Sequence, residues 1–139
     1  MSPTRRRLAH ASARGFTLIE VIVVVSLVVL LASIGMNQYR NSVQYARESV
    51  LKEDLFRMRD AIDQYHADKG KYPQSLEDLV SDGYLREIPK DPITGSADTW
   101  QTVAAEPDSQ NPSAEPGVYD VKSGSDGQAL DGTQYADWD

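Results

Sequence analysis

The sequence predicts an α+β fold with a long N-terminal spine helix, a short second helix, a small antiparallel β-sheet and a C-terminal loop. Three observations predict it. An apolar run extends from Phe16 to Met36, and a helical spacing of apolar residues continues to about Lys69. Residues 93–139 are instead rich in glycine, proline, serine and aspartate, with two short β-prone segments. A long helix with a small sheet on one face is an α+β arrangement.

The apolar run has the length and the flank of a membrane-spanning helix. Its 21 residues, Phe16 to Met36, would extend about 31 Å as a helix, close to the roughly 30 Å of a hydrocarbon core. The segment before it contains no acid and four arginines: Arg5, Arg6, Arg7 and Arg14. Such a basic flank stays on the cytoplasmic side, so the rest of the chain is expected on the other side. Glu20 lies inside the run, and an unpaired carboxylate there is costly enough to need a partner.

After Met36 the pattern predicts that the same helix continues with one apolar face. Apolar residues recur at three-and-four spacing: Val43, Ala46, Val50, Leu51, Leu55, Met58, Ile62 and Tyr65. Residues 37–69 contain neither glycine nor proline, and Gly70 and Pro73 then give an ordinary C-terminal signal. One helix from Phe16 to about Lys69 is too long for a small globular domain. It suits a subunit that is anchored in a membrane and packed beside copies of itself.

The remaining elements are predicted to cover one face of the spine helix. Ser75 is the expected N-cap of a short helix that ends at Gly83. The apolar residues of that helix expected to cover the core are Leu76, Leu79 and Val80. The two β-prone segments are residues 100–103 and 117–122, which are expected to pair as strands.

Composition and charge exclude several classes of function. The chain has 14 basic and 21 acidic residues, a net charge of −7, and residues 70–139 alone carry four basic and fourteen acidic side chains. That acidic half lacks the basic footprint that nucleic acid requires, so no nucleic-acid partner is expected. There is no cysteine, which excludes disulfides, a thiol nucleophile and cysteine zinc sites. The sequence shows no recognisable catalytic triad or phosphate-binding glycine loop, and His66 is expected on the surface of the long helix. We therefore expect a protein that is not an enzyme.

The junction between the basic leader and the apolar run carries a family resemblance. Residues 14–21 read R-G-F-T-L-I-E-V and resemble the processing site of type IV prepilins and of the pseudopilins of type II secretion. The resemblance implies that a membrane-bound prepilin peptidase cuts between Gly15 and Phe16 and that Phe16 becomes N-methylated. It also implies that Glu20 meets the N-terminal amine of a neighbouring subunit during assembly.

The same resemblance implies a division of the chain into three parts. Residues 1–15 would be the cytoplasmic leader, residues 16–36 the transmembrane and filament-core half of the helix, and residues 37–139 a periplasmic pilin-like globular domain. A second resemblance, to the major pseudopilin of type II secretion, rests on G-x-Y-P at residues 70–73 and Y-L-R-E-I-P-K-D-P at residues 84–92.

Membership of that family would make the chain a structural subunit of a type II secretion pseudopilus. Single-pass subunits would leave the inner membrane and form a periplasmic filament that drives protein export. The implied partners are copies of the chain itself, minor pseudopilins, the prepilin peptidase and an inner-membrane assembly platform. Two alternatives stay open at this point. One is a type IV pilin of an extracellular fibre for adhesion or motility, and the other is a lone membrane-anchored periplasmic binding domain that needs neither cleavage after Gly15 nor Glu20.

A glycine-rich loop between Val121 and Gly132 is a candidate calcium site, because calcium takes six to eight oxygens in flexible geometry. Major pseudopilins carry a calcium loop between a Y/V-D-hydrophobic-x-S strand and a tryptophan near the C-terminus, which residues 119–123 and Trp138 resemble. The resemblance implies calcium as the cofactor, with these ligands: Val121, Ser123, Asp126 and Asp131. The family pattern places two acids close together before the tryptophan, whereas here only Asp131 is well placed. A solvated turn without metal is the alternative.

Overall fold

The computed structural model describes residues 15–139. The predicted leader lies outside the described residues except for Gly15. Within the described range the elements are α1 (Leu18–Lys69), α2 (Leu76–Ser81), β1 (Gln101–Ala104), β2 (Val118–Lys122) and a short 3-10 helix (Tyr135–Asp137). The α+β fold class is therefore confirmed. The chain divides into two units, the first ending at Gln38 and the second covering Tyr39–Asp139.

Helix α1 begins two residues later than the sequence predicted because Thr17 caps it. The Thr17 carbonyl accepts the first helical hydrogen bond, from the Val21 N–H at 3.2 Å, and its Oγ1 accepts one from the Glu20 N–H, also at 3.2 Å. A threonine that accepts in this way satisfies a backbone donor that the first turn leaves free. The helix ends at Lys69, as predicted, where Gly70 takes a φ of 69° that favours glycine.

In the second unit α1 buries one stripe, which matches the predicted apolar face only in part. Its buried residues are Glu48, Leu51, Asp54, Leu55, Met58, Ala61, Ile62 and Tyr65. Val50 is 50% exposed and Ala46 is also exposed, so the prediction was wrong for these two. The reason is register: the residues from Leu51 to Tyr65 repeat at three and four, and Val50 points away from that line.

The two strands pair antiparallel as predicted. Gln101 lies opposite Lys122 and Thr102 opposite Val121, with an irregularity between Val103 and Ala104. Directly after β2, Gly124 approaches the backbone so closely that an added Cβ would lie 1.8 Å from the Thr99 carbonyl oxygen. Glycine is therefore required at this position by packing, and this part of the glycine-rich loop is held against its neighbour.

The strands and α2 bury their apolar residues against the stripe of α1. The core cluster consists of Leu51, Leu55, Met58, Ala61, Ile62, Tyr65, Leu76, Leu79, Trp100, Val118, Val121, Ala129 and Tyr135. Helix α2 contributes Leu76 and Leu79 as predicted, while Val80 is half-buried. Ser75 holds the predicted N-cap position, but its side chain makes no cap hydrogen bond. Asp78 accepts instead, from the Gln74 N–H at 2.9 Å. The core places the C-terminal segment, residues 118–138, beside α1.

Candidate functional site

In the first unit, every described side chain is exposed. From Gly15 to Gln38 no residue is buried, and Phe16 is 82% exposed. The apolar part of α1 is long and apolar enough to cross a membrane, and none of its most apolar stretch is buried within the chain. Large apolar side chains exposed along a whole helix cost free energy in water, so this half requires cover from outside the single chain.

The residues predicted to act in this half, Gly15, Phe16 and Glu20, lie just before α1 or in its first turn. Gly15 has open space around it, since a Cβ added there would meet no atom within 4 Å. Glu20 is exposed and lies in the first turn of α1, where the positive end of the helix dipole favours a carboxylate. Thr17 and Glu20 also have the spacing of a capping box, of which the structure shows the threonine half. The T-x-x-E spacing of residues 17–20 is the sequence signal for this cap.

In the second unit, the C-terminal segment is bound to α1 by an arginine. Arg59 donates through Nε to Asp120 Oδ1 at 2.7 Å. Its Nη2 donates to the Val121 carbonyl oxygen at 3.0 Å and to the Trp138 carbonyl oxygen at 2.8 Å. One planar guanidinium therefore joins β2 and the C-terminal end of the segment to the helix, which a fork of several donors allows.

A buried glutamate of α1 binds the middle of the same segment. Glu48 is 8% exposed, and its Oε1 accepts from the Leu130 N–H at 2.8 Å and from the Tyr135 hydroxyl at 2.9 Å. Gln44 donates to the Tyr135 hydroxyl oxygen at 3.0 Å and to the Gln128 carbonyl oxygen at 3.2 Å. Burial raises the pKa of the Tyr135 hydroxyl, and its hydrogen bond to Glu48 adds to the rise. The phenol therefore stays protonated as a donor.

A second buried carboxylate fixes the end of β2. Asp91 is fully buried, and its Oδ2 accepts from the Ser123 hydroxyl at 2.5 Å. Its Oδ1 accepts from the Ile93 N–H at 2.8 Å. Short hydrogen bonds of this kind satisfy a charged oxygen that water cannot reach. Ser123 is therefore engaged as a donor to a carboxylate, with its oxygen accepting in turn from the Ser125 N–H at 3.2 Å.

Three of the four residues predicted to bind calcium, Val121, Ser123 and Asp131, make hydrogen bonds within the protein. Asp131 is exposed and turns back on its own loop, where its Oδ1 accepts from the Thr133 hydroxyl at 2.6 Å and from the Thr133 N–H at 3.0 Å. These hydrogen bonds, led by the one from the hydroxyl, lower the pKa of Asp131. Asp126 is exposed. Across residues 15–139, no three histidine, cysteine, aspartate or glutamate side chains form a group able to hold a metal ion. Calcium binding stays a prediction from the sequence, and two of its implied ligands, Val121 and Ser123, are hydrogen-bonded to protein groups.

Sequence reasoning missed the residues that do the binding in this region. Glu48 lies three residues before Leu51 and seven before Leu55, in register with the buried stripe. A carboxylate on an apolar line is the signal that could have identified it, because a buried carboxylate needs donors from another element. Arg59 and Asp91 gave no comparable signal, since neither interrupts a regular apolar pattern.

Comparison with known proteins identifies the class of protein to which this chain belongs. The family model described as the prokaryotic N-terminal methylation motif matches residues 10–36, which include the predicted cleavage junction and Glu20. The chain combines that motif with an apolar helix long enough to span a membrane and with an α+β unit after it. Together these features define the class of membrane-anchored, pilin-like subunits.

Curated relatives narrow the class to one family. The chain is 31% identical over 104 residues to the "Type II secretion system core protein G" of Klebsiella michiganensis, covering 63% of this chain and 73% of the relative. It is 36% identical over 94 residues to the protein of that name in Pseudomonas aeruginosa, with coverages of 56% and 66%. For the Escherichia coli protein the identity is 30% over 95 residues, with coverages of 57% and 66%. No solved structure matches the chain significantly. The chain belongs to the type II secretion system core protein G family, which confirms the resemblance to pseudopilins.

Proposed function

We propose that this chain is a structural subunit of a type II secretion pseudopilus. The observation that carries the proposal is the unburied apolar half of α1 in a chain of this family. That surface is stable in a membrane, and it is equally stable in the core of a filament where copies cover one another. A subunit can therefore move from the inner membrane into a periplasmic filament, with the second unit in the periplasm, and push proteins outward. The role is mechanical and not enzymatic.

The N-terminal junction prepares the subunit for assembly. Prepilin peptidase cuts between Gly15 and Phe16, and Phe16 is then N-methylated. Glu20 meets the N-terminal amine of the next copy, which pairs two charges inside an apolar layer and removes the cost of leaving either alone. Further partners are the minor pseudopilins and an inner-membrane assembly platform. The names of the relatives favour this role over a type IV pilin or a lone binding domain.

The test is the Glu20→Val variant in cells that overproduce the chain with its secretion system. Loss of the charge makes membrane insertion easier, so the variant is expected in the membrane fraction at the parent's level, with few or no filaments in electron micrographs. Ser26→Ala is the matched control. The Ser26 hydroxyl donates to the Ile22 carbonyl of its own helix at 2.7 Å, so its loss should leave contacts between copies intact. A normal filament yield from Glu20→Val would contradict the proposed role of the carboxylate.

A further inference from the structure

We propose that the C-terminal segment is fixed on α1 by Arg59 and Glu48, and that it reaches its folded position without calcium. These two side chains are called the helix clamp. They lie eleven residues apart on α1, or about 16 Å along the helix axis. The proposal concerns the second unit alone and does not depend on the function proposed above.

Arg59 places a positive charge beside one of the implied calcium ligands. The Val121 carbonyl, one of the implied ligands, accepts from the Arg59 guanidinium at 3.0 Å. The side chains of Arg59 and its partner Asp120 are 23% and 21% exposed, so water screens the guanidinium less than it would at the open surface. A divalent cation bound to the same carbonyl would lie close to a fixed cation and would be repelled by it.

Glu48 supplies from the helix the negative charge that orders the loop. Its Oε1 receives the Leu130 N–H and the Tyr135 hydroxyl, both from the C-terminal segment. A calcium loop has the opposite arrangement, because its oxygens point at a shared ion. In this chain Tyr135, three residues before Trp138, donates to a carboxylate of α1.

Two of the other implied ligands have partners within the protein, and the third, Asp126, is exposed. Ser123 donates to Asp91, and Asp131 accepts twice from Thr133. Among the described residues, every buried side-chain nitrogen or oxygen has a hydrogen-bond partner. No buried side-chain oxygen in that part of the chain is therefore left without a protein partner.

The first measurement is thermal unfolding of the full-length chain in detergent, with millimolar calcium chloride, magnesium chloride or a chelator. A ligand that binds the folded state alone raises the unfolding temperature in proportion to the logarithm of its concentration above Kd. We expect the same unfolding temperature with calcium as with chelator. An equal rise with calcium and magnesium is the response of an acidic surface to divalent ions and also supports the clamp. A rise specific to calcium that disappears in Asp131→Ala would overturn the proposal.

The second measurement tests the clamp directly with Glu48→Gln and Arg59→Lys. The matched controls are Glu53→Gln and Arg57→Lys, an exposed ion pair of 2.9 Å on the same helix, for which little effect is expected. Both clamp variants should lower the unfolding temperature by several degrees, and controls should leave it nearly unchanged. In Glu48→Gln the Leu130 amide should exchange with solvent about tenfold faster, because its charged acceptor is gone. Clamp variants that behave like their controls in both measurements would overturn the proposal.

Discussion

The two halves of α1 differ in what surrounds their side chains. From Leu18 to Gln38 every residue is exposed, whereas from Tyr39 to Lys69 eight residues are buried beneath α2 and the strands. Their glutamates differ in the same way. Glu20 is exposed on an apolar half, and Glu48 is buried on an amphipathic half with donors from the C-terminal segment.

The comparison shows that the hydrophobicity of a helix predicts burial within the chain only where other elements of the same chain pack against that helix. The more apolar half is the exposed half, because α2 and the strands follow the amphipathic half and pack on it. For the apolar half the cover must be a membrane or other copies of the chain. The glutamates follow the same rule: Glu48 has its donors within the chain, and the proposed partner of Glu20 belongs to another copy.

The largest effect is expected at the start of the apolar half. Gly15→Val should abolish cleavage before Phe16, because a branched side chain would crowd a peptidase site that accepts glycine. The chain itself has room for the change, since a Cβ at Gly15 would meet no atom within 4 Å. Mass spectrometry of the membrane fraction should find the parent as residues 16–139 with an added methyl group, and the variant with its leader intact.

Gly35→Ala is the control for that measurement, because Gly35 also has open space around it and lies away from the junction. It should be processed like the parent. A Gly15→Val chain that still begins at Phe16, or a parent chain that retains Met1, would remove the basis for treating residues 16–38 as the exposed half of a processed subunit.

A second, smaller effect should separate the two halves by their response to truncation. Met58 is fully buried, and Met58→Ala should lower the free energy of unfolding by about 2–5 kcal/mol, since it removes buried atoms and leaves a cavity. Val28 is 58% exposed, and Val28→Ala should leave that free energy nearly unchanged. Near-ultraviolet circular dichroism during thermal unfolding in detergent follows the packing of the second unit. Equal destabilisation by the two changes would contradict the comparison.

The spine helix, α2 and the paired strands could be predicted because each depends on local patterns of the sequence. The periodic stripe predicted α1 to its end at Lys69, and the β-prone segments were predicted within a residue of β1 and β2. The 3-10 helix at Tyr135–Asp137 was not predicted, and neither were the contacts of Arg59 and Glu48, which join residues more than sixty positions apart. Such contacts depend on how the elements pack, and local propensity carries no information about that.

The predicted functional residues differ in the same way, because some depend on local sequence and others on how the elements pack. Gly15, Phe16 and Glu20 form a contiguous motif, so the sequence alone could nominate them, and their roles stay predictions. The calcium ligands were nominated from a resemblance between loops. Whether two loops bind the same ion depends on where their oxygens point, and here Val121 and Ser123 turn to protein partners.

The smallest predicted effect concerns Asp54, a buried carboxylate in the amphipathic half of α1. Asp54 is 9% exposed, and burial raises its pKa. Arg57 opposes this rise, while Glu53 and Asp91 add smaller increases. The folded protein therefore holds this proton more tightly than the unfolded chain. The stabilising contribution of the protonated form is fully present below the usual aspartate pKa of about 3.9 and is lost as the pH rises through the raised value.

Asp54→Asn should therefore raise the unfolding temperature at neutral pH, because asparagine has the shape of aspartate without a charge that must be buried. The gain should shrink as the pH falls toward about 4, where the parent's own carboxyl becomes protonated. Asp60→Asn is the control, since Asp60 is exposed on the same helix and its loss should matter little at any pH. The measurement is the unfolding temperature of the three chains across this pH range. If Asp54→Asn raises the unfolding temperature by the same amount at every pH, charge burial is not the cause. If it does not raise the unfolding temperature at all, the amphipathic half accommodates this carboxylate as readily as it does Glu48.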